Sequence, residues 1–155
     1  MGVNVTRLKA SDLFEVLEFS ELQDIAALAY EKLFEAGQII FKPGQRADEI
    51  YIVEEGRVSI EVEVGPSERI SVYVLGAGEF FGYPALLPSK AYTTYGVCLE
   101  KTKLIAIPGD KLLSLLEKDP SRGYKVMKKL AELIAKKLAE TRRQLVFCVL
   151  PPSRA

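Results

Sequence analysis

Side chains able to do covalent or acid–base chemistry are sparse in this sequence. It contains no histidine. That removes a Ser-His-Asp triad, a Cys-His pair and any histidine-ligated metal. Its two cysteines, Cys98 and Cys148, are far apart and lack the CxxC spacing of metal or redox sites. Cys98 falls in a β-type run with no base to activate its thiol. Two free thiols in a reducing compartment are the expectation. No paired carboxylates and no Gly-rich Walker pattern stand out. An enzyme is therefore not expected, nor a metal or a resident cofactor. Met1-Gly2 with Thr6 matches a myristoylation pattern, and Asn4-Val5-Thr6 a glycosylation sequon. Both patterns are short and lack a supporting context.

Composition narrows the class. A chain of 155 residues fits one domain. With 48% hydrophobic and 27% charged residues, it is neither disordered nor membrane-spanning. Its longest apolar runs, Ala26 to Tyr30 and Val146 to Leu150, fall far below the roughly 20 residues of a membrane span. No apolar segment follows the start, so no signal peptide is expected and the cytoplasm is the expected location. Lys plus Arg equals Asp plus Glu at 21 each, which gives no bulk bias toward nucleic acid.

Three blocks must position whatever site exists. Residues 11 to 30 read as helical, with Ser20-Glu21-Leu22-Gln23 as a capping box and Leu22, Ile25, Ala26 and Leu28 as an apolar stripe. Residues 31 to 108 read as short strands separated by turn signals. Gln38 to Phe41 ends at Lys42-Pro43-Gly44, and Ile50 to Val53 ends at Glu54-Glu55-Gly56. Val58, Ile60, Val62 and Val64 alternate with polar residues, as do Ile70, Val72 and Val74, so both read as half-buried strands. Further strands are read at Tyr92 to Leu99 and Leu104 to Ile107. Such spacing indicates a sandwich or a jelly roll. Residues 109 to 148 return to helix: Asp110 opens a short helix through Leu116, then Asp119 caps one that begins at Pro120. This last helix reads to about Phe147, where Pro151-Pro152 bars continuation. The expectation is one domain over 1–155: N-terminal helices in 1–30, a β-roll in 31–108, C-terminal helices in 109–148 and a tail in 149–155.

The long helix suggests assembly. Met127, Leu130, Ile134, Leu138, Thr141 and Leu145 recur at helical spacing on one face. Val126 and Leu133 widen that face, and Lys125, Lys129, Lys136 and Arg143 are placed opposite it. A helix this long exceeds what a small β-domain can cover, so a twofold homodimer through Met127, Leu130, Ile134, Leu138 and Leu145 is expected, against a helix folded back on its own domain. Residues 120 to 147 hold eight basic and two acidic residues, a net of +6, which leaves the remainder near −6. This basic face reads as solvated, with nucleic-acid binding the minor alternative.

The β-block carries a resemblance. Lys42-Pro-Gly-Gln-Arg-Ala-Asp-Glu-Ile-Tyr-Ile-Val-Glu-Glu-Gly-Arg-Val-Ser-Ile60 resembles the first half of a cyclic-nucleotide-binding domain. Gly76-Ala-Gly-Glu-Phe-Phe-Gly-Tyr-Pro-Ala-Leu-Leu87 resembles the start of that family's phosphate-binding cassette. The order of N-terminal helices, β-roll, short helix and long C-terminal helix agrees, over roughly residues 12 to 147. The resemblance implies a mainly β fold with flanking helices, a double-stranded β-helix or jelly roll. It also implies a ligand site at Gly82, Tyr83, Pro84, Ala85 and Leu86, followed by Tyr92, Thr93 and Thr94. Gly44, Gly56 and Gly76 then fall at tight turns. Gly82 lets the backbone approach a ligand, and Pro84 suits the first position of a short helix whose free N–H groups favour an anion.

The side chains depart from the family's pattern. The resemblance implies a glutamate after the cassette glycine, for the ribose 2′-hydroxyl; Tyr83 stands there. It implies an arginine on the cyclic phosphate; Tyr92 stands there. Losing a charge-assisted hydrogen bond of roughly 1.5–3 kcal/mol costs about 10- to 100-fold in affinity. Lys90 is the candidate substitute cation, or else an exposed loop lysine. Tyr83, Tyr92 and Tyr95 either line a ligand site or fill it as core aromatics. Two functions remain open. One is a regulatory module that senses a cyclic nucleotide or related anionic nucleotide and couples it to the long helix. The other is a degenerate member that serves dimerisation or docking. Only Pro151 to Ala155 follows the long helix, so the helix-turn-helix of family transcription factors resembling the catabolite activator protein is not expected, nor DNA binding of that kind.

Overall fold

A computed structural model describes residues 2–149 of the chain. The tail expected at 149–155 therefore lies outside the described residues except for Val149. Two short helices open the fold, α1 (Val5–Lys9) and α2 (Phe19–Leu28). Eight strands follow: β1 (Tyr30–Phe34), β2 (Ile39–Phe41), β3 (Glu49–Glu55), β4 (Val58–Gly65), β5 (Glu68–Leu75), β6 (Phe80–Phe81), β7 (Tyr95–Cys98) and β8 (Thr102–Pro108). A 3-10 turn at Tyr83–Leu86 separates β6 from β7, and α3 (Gly109–Lys118) and α4 (Pro120–Val149) complete the chain.

The strands form two antiparallel sheets, ordered β1-β8-β3-β6 and β2-β7-β4-β5. This is the jelly roll expected from the sequence. In β3 the four consecutive residues Ile50 to Val53 are all buried, and in β8 so are Leu104 to Ile107. Successive strand residues point to opposite faces, so this sheet is covered on both sides. The second sheet meets one face, and α2 and α3 pack on β8 from the other. The half-buried alternation read in β4 and β5 is not what the strands show: Val58, Ser59 and Ile60 are buried in succession and Leu75 is buried, whereas Val62, Val64, Ile70 and Val74 are exposed, because only this end of the pair lies on the core. These two strands project as a hairpin beyond the core.

Several boundaries differ from the sequence reading. Tyr92 to Thr94 are not strand; β7 begins at Tyr95. Tyr92 is instead held by its amide to the Gln45 carbonyl at 3.0 Å, while Gly44 N donates to the Tyr92 carbonyl at 2.8 Å. Helix α2 starts earlier than the Ser20 box: Glu18 is its N-cap, with Glu21 closing the box. Residues 10–17 are turns, not helix. Pro108, not Asp110, caps α3. Gly76 has no left-handed backbone; the turn before β6 places that conformation at Gly78 (φ 89°). At α4 the expectation holds: the Asp119 carboxylate accepts from Arg122 N at 3.3 Å.

The long helix departs from the dimer stripe in its first half. Leu130 is 5% exposed and Val126 fully buried, and Met127, Leu133 and Ile134 pack against the domain's own core. Lys125 and Lys129, placed on the outer face by the sequence reading, bridge inward to Glu21 and Glu15, each at 3.1 Å. The reason is that α4 lies back along its own roll. Arg122, nearly buried, donates to the Glu21 carbonyl of α2 at 2.8 Å and fixes the helix start there. Of the apolar stripe, Leu138 (48% exposed) and Leu145 (61%) stay open, as do the following Val146, Phe147 and Val149.

Candidate functional site

A cavity of about 510 Å³ lies between the roll and α4. Its inner wall is aromatic. Phe41 and Tyr92 stack at 3.9 Å, and Tyr51 and Phe81 continue the cluster. Gly82, Tyr83, Pro84, Thr93 and Thr94 form the roll-side rim. Leu133, Ile134, Leu138 and Thr141 of α4 form the facing wall.

Gly82 places this rim. Its φ is 84°, and a Cβ there would lie 3.1 Å from the Glu49 carbonyl and 3.4 Å from the Tyr51 ring. The chain can pass that close to β3 only without a side chain. The following turn is short. Its Ala85 and Leu87 amides donate to the Gly82 and Pro84 carbonyls, each at 3.1 Å, and Pro84 has no N–H. Of the N–H groups this short helix was expected to offer an anion, those of Ala85 and Leu87 are thus already used. Ala85 and Leu86 are buried behind the rim and do not line the cavity.

Lys90, the candidate substitute cation, and Tyr92, at the place of the family's arginine, are both occupied elsewhere. Lys90 does not line the cavity. Its ammonium donates to the Ala85 carbonyl at 2.8 Å and pairs with Asp110 at 2.5 Å. Its left-handed backbone (φ 49°) turns it toward the start of α3. This corrects its reading as the substitute cation. Tyr92 is 3% exposed and donates its hydroxyl to the Glu49 carbonyl at 2.7 Å. Burial pushes that phenol above its ordinary range. Tyr92 therefore offers the cavity ring carbon, not a polar group. Tyr95 stays outside, 4.7 Å beneath the Arg69 guanidinium. Tyr83, 38% exposed, keeps a free ring at the mouth.

Polar groups that the sequence reading missed enter from three elements. Asp12, Glu15 and Glu79 line one side, and Lys129, Lys136 and Lys137 come from α4. Asp12 accepts from Phe80 N at 3.1 Å, and its own amide donates to the Gly78 carbonyl at 2.8 Å, so it ties the N-terminal segment to the cassette. Desolvation raises its carboxyl to about 6, opposed by the Phe80 N–H. A raised carboxyl stabilises the folded state below its unfolded value, and this contribution is lost as pH rises through 6. Asp12→Asn keeps the acceptor and removes the charge. It should raise stability at pH 7.5 by on the order of 1 kcal/mol, discounted for a half-exposed group, and the gain should vanish near pH 4. Urea unfolding of both proteins at the two pH values checks this; a loss of stability at pH 7.5 contradicts it.

Helix α4 is latched over the cavity mouth. The Tyr73 hydroxyl of β5 donates to the Lys137 carbonyl at 3.2 Å and hydrogen-bonds the Thr141 hydroxyl. The Lys137 ammonium stands 4.8 Å from the Tyr73 ring centre. Gln144 Nε2 donates to the Val72 carbonyl at 3.0 Å, which uses the open edge of β5. Thr141 is thereby engaged with the protein itself. Cys98 is buried, with its thiol pushed up by that burial, so it is held in the unreactive form.

Family and fold comparisons agree with this architecture. The family model described as the cyclic nucleotide-binding domain matches residues 31–119. The cyclic AMP receptor protein of Thermus thermophilus is 30% identical over 139 residues, which covers 89% of this chain and 62% of that protein. The crystal structure of the Thermus thermophilus catabolite activator protein superposes with a TM-score of 0.74 at 28% identity, over 89% of this chain and 63% of that one. A cyclic nucleotide-binding domain from Methylobacillus flagellatus superposes with a TM-score of 0.83 over 97% of this chain and 89% of that one; at 16% identity it shows the fold alone. The chain spans less than two thirds of the length of the first curated relatives it matches. No helix among the described residues is long and apolar enough to cross a membrane. With the matched segment running from β1 through α3 and the roll, turn and long helix in the expected order, the chain belongs to the cyclic nucleotide-binding domain family.

Proposed function

We propose that this chain is a regulatory module whose roll takes a cyclic nucleotide or a related anionic nucleotide, and that α4 reads its presence. One observation carries the reading: the cavity has the Gly82–Pro84 rim on one side and Leu133 to Thr141 of α4 on the other. A ligand that fills it touches both, so its binding energy differs between positions of α4, which is what coupling requires. The volume suits a small molecule. Tyr83 supplies a ring for stacking, Thr93 and Thr94 supply hydroxyls, and the backbone at Gly82 gives close approach.

A second reading has its own support. Tyr92, stacked on Phe41, occupies the place where the resemblance implies an arginine. A roll filled this way would serve dimerisation or docking, with no nucleotide bound. In either reading the homodimer draws on Leu138, Leu145 and their exposed neighbours Val146, Phe147 and Val149, since the earlier part of the stripe faces its own domain. Thermal unfolding with cyclic mononucleotides and cyclic dinucleotides decides between the two. A ligand-dependent rise supports the sensor; no rise with any of them leaves the interaction module.

A further inference from the structure

The cavity is electrically lopsided. Opposite α4, the charged side chains that line the cavity are all acidic: Asp12, Glu15 and Glu79. Two of them already accept backbone amides, Asp12 from Phe80 and Glu79 from Gly76 at 2.8 Å. No arginine lines the cavity among the described residues, and Lys90 is committed to Asp110. That side of the cavity therefore offers an anion no cation of its own.

The facing wall carries three lysines and one carboxylate, Glu140. Of its three lysines, Lys129 is matched by Glu15 at 3.1 Å. Lys137 has Glu140 at a loose 3.8 Å and the Tyr73 ring, 4.8 Å from its ammonium. Lys136 makes no ion pair among the described residues, whereas its neighbours on the helix do. Lys136 and Lys137 are consecutive on α4, and both line the cavity. Their flexible stems suit a point contact with a phosphate.

We propose that the ligand's anionic group is held by Lys136 and Lys137 of α4 and not by the roll. The nucleotide then lies with its phosphate toward the helix and its base against the ring of Tyr83. This rests on the nucleotide reading above and makes it specific. It also gives the coupling a direct route, because the strongest polar contact is made by the element that must respond.

The experiment measures binding of cyclic AMP and cyclic GMP, with adenosine and guanosine as uncharged probes, at low salt. Wild type is compared with Lys136→Gln, with the Lys136→Gln/Lys137→Gln double variant and with Lys90→Gln. Lys136 is exposed, so the single variant tests the charge without disturbing packing. The double variant should weaken cyclic-nucleotide binding by about tenfold or more, the single variant by a smaller factor. Nucleoside binding should not change in either, and Lys90→Gln should bind all probes like wild type. Unchanged cyclic-nucleotide affinity in the double variant, or a loss that appears in Lys90→Gln instead, overturns the proposal and leaves the nucleotide reading standing. No binding of cyclic nucleotide by wild type sinks both.

Discussion

Replacing Gly82 with valine is expected to abolish nucleotide-dependent stabilisation and to destabilise the fold by roughly 2–3 kcal/mol. Two effects combine. The backbone at Gly82 is left-handed (φ 84°), a conformation that a β-branched residue adopts least readily. The Cβ would also press on the Glu49 carbonyl at 3.1 Å, with Ile50 Cα at 3.5 Å, both backbone atoms of a buried strand. The rim must then move away from β3, taking Tyr83 and Pro84 out of the cavity wall. Gly82→Ala should show a graded version and keeps the test informative if valine prevents folding. Gly76→Ala is the control, because nothing lies within 4 Å of a Cβ there and its backbone is not left-handed. It should change stability by less than about 0.5 kcal/mol. Unaltered binding in both Gly82 variants would show that the cassette does not form the site.

Gly56→Ala should cost stability alone, by about 3 kcal/mol or more. Gly56 ends β3 with φ 99°. An added Cβ would lie 2.5 Å from the Thr102 hydroxyl, 2.6 Å from the Lys101 carbonyl and 2.8 Å from Thr102 Cα. Two of these are backbone atoms of the β7–β8 turn, which cannot swing aside. That turn is pinned: Thr102 donates its hydroxyl to the Glu100 carbonyl at 2.8 Å, and Leu99 N donates to the Arg57 carbonyl at 3.0 Å. Relief would require the β3–β4 connection to part from β8, the strand that joins β1 to β3. A thermal scan should show a midpoint lower by about 6 °C or more. A midpoint within a degree of wild type would mean that the two turns are not packed as described.

Much of this fold is legible in the sequence, for identifiable reasons. Val58 to Val64 and Ile70 to Val74 alternate strictly, and both lie in strands. The Asp119-Pro120 start of α4 is a local signal with a local cause, and it holds. Where tertiary contacts decide, the sequence misleads. Ala29-Tyr30 continues an apolar run from α2, yet Tyr30 pairs with Ala106 of β8 and begins a strand. Tyr92 sits in a β-type stretch, but its ring is drawn inward onto Phe41. The apolar stripe from Met127 to Leu145 is a true helical face; spacing alone could not say that its first half would be spent on its own domain.

The site shows the same division. Gly82, Tyr83, Pro84, Thr93 and Thr94 all reach the cavity, placed by segments whose glycine and proline pattern is visible in the chain. Lys90 was separated from that group by a carboxylate twenty residues away, Asp110, which no local pattern announces. Asp12, Lys136 and Lys137 were missed because each arrives from an element distant in sequence. The spacing places Lys129 and Lys136 on the face opposite the apolar stripe, yet both line the cavity, because α4 lies back along its own roll.

The central question is whether the cavity binds a nucleotide. The direct measurement is thermal unfolding of the wild-type chain against cyclic mononucleotides and dinucleotides, each near 1 mM. A ligand at 100 times its dissociation constant should stabilise by about 2.7 kcal/mol, a rise of roughly 5 to 11 °C. A rise of that size with one compound, absent in Gly82→Val, is the predicted result. An unchanged midpoint with every compound would contradict it and leave a roll closed by its own aromatic residues.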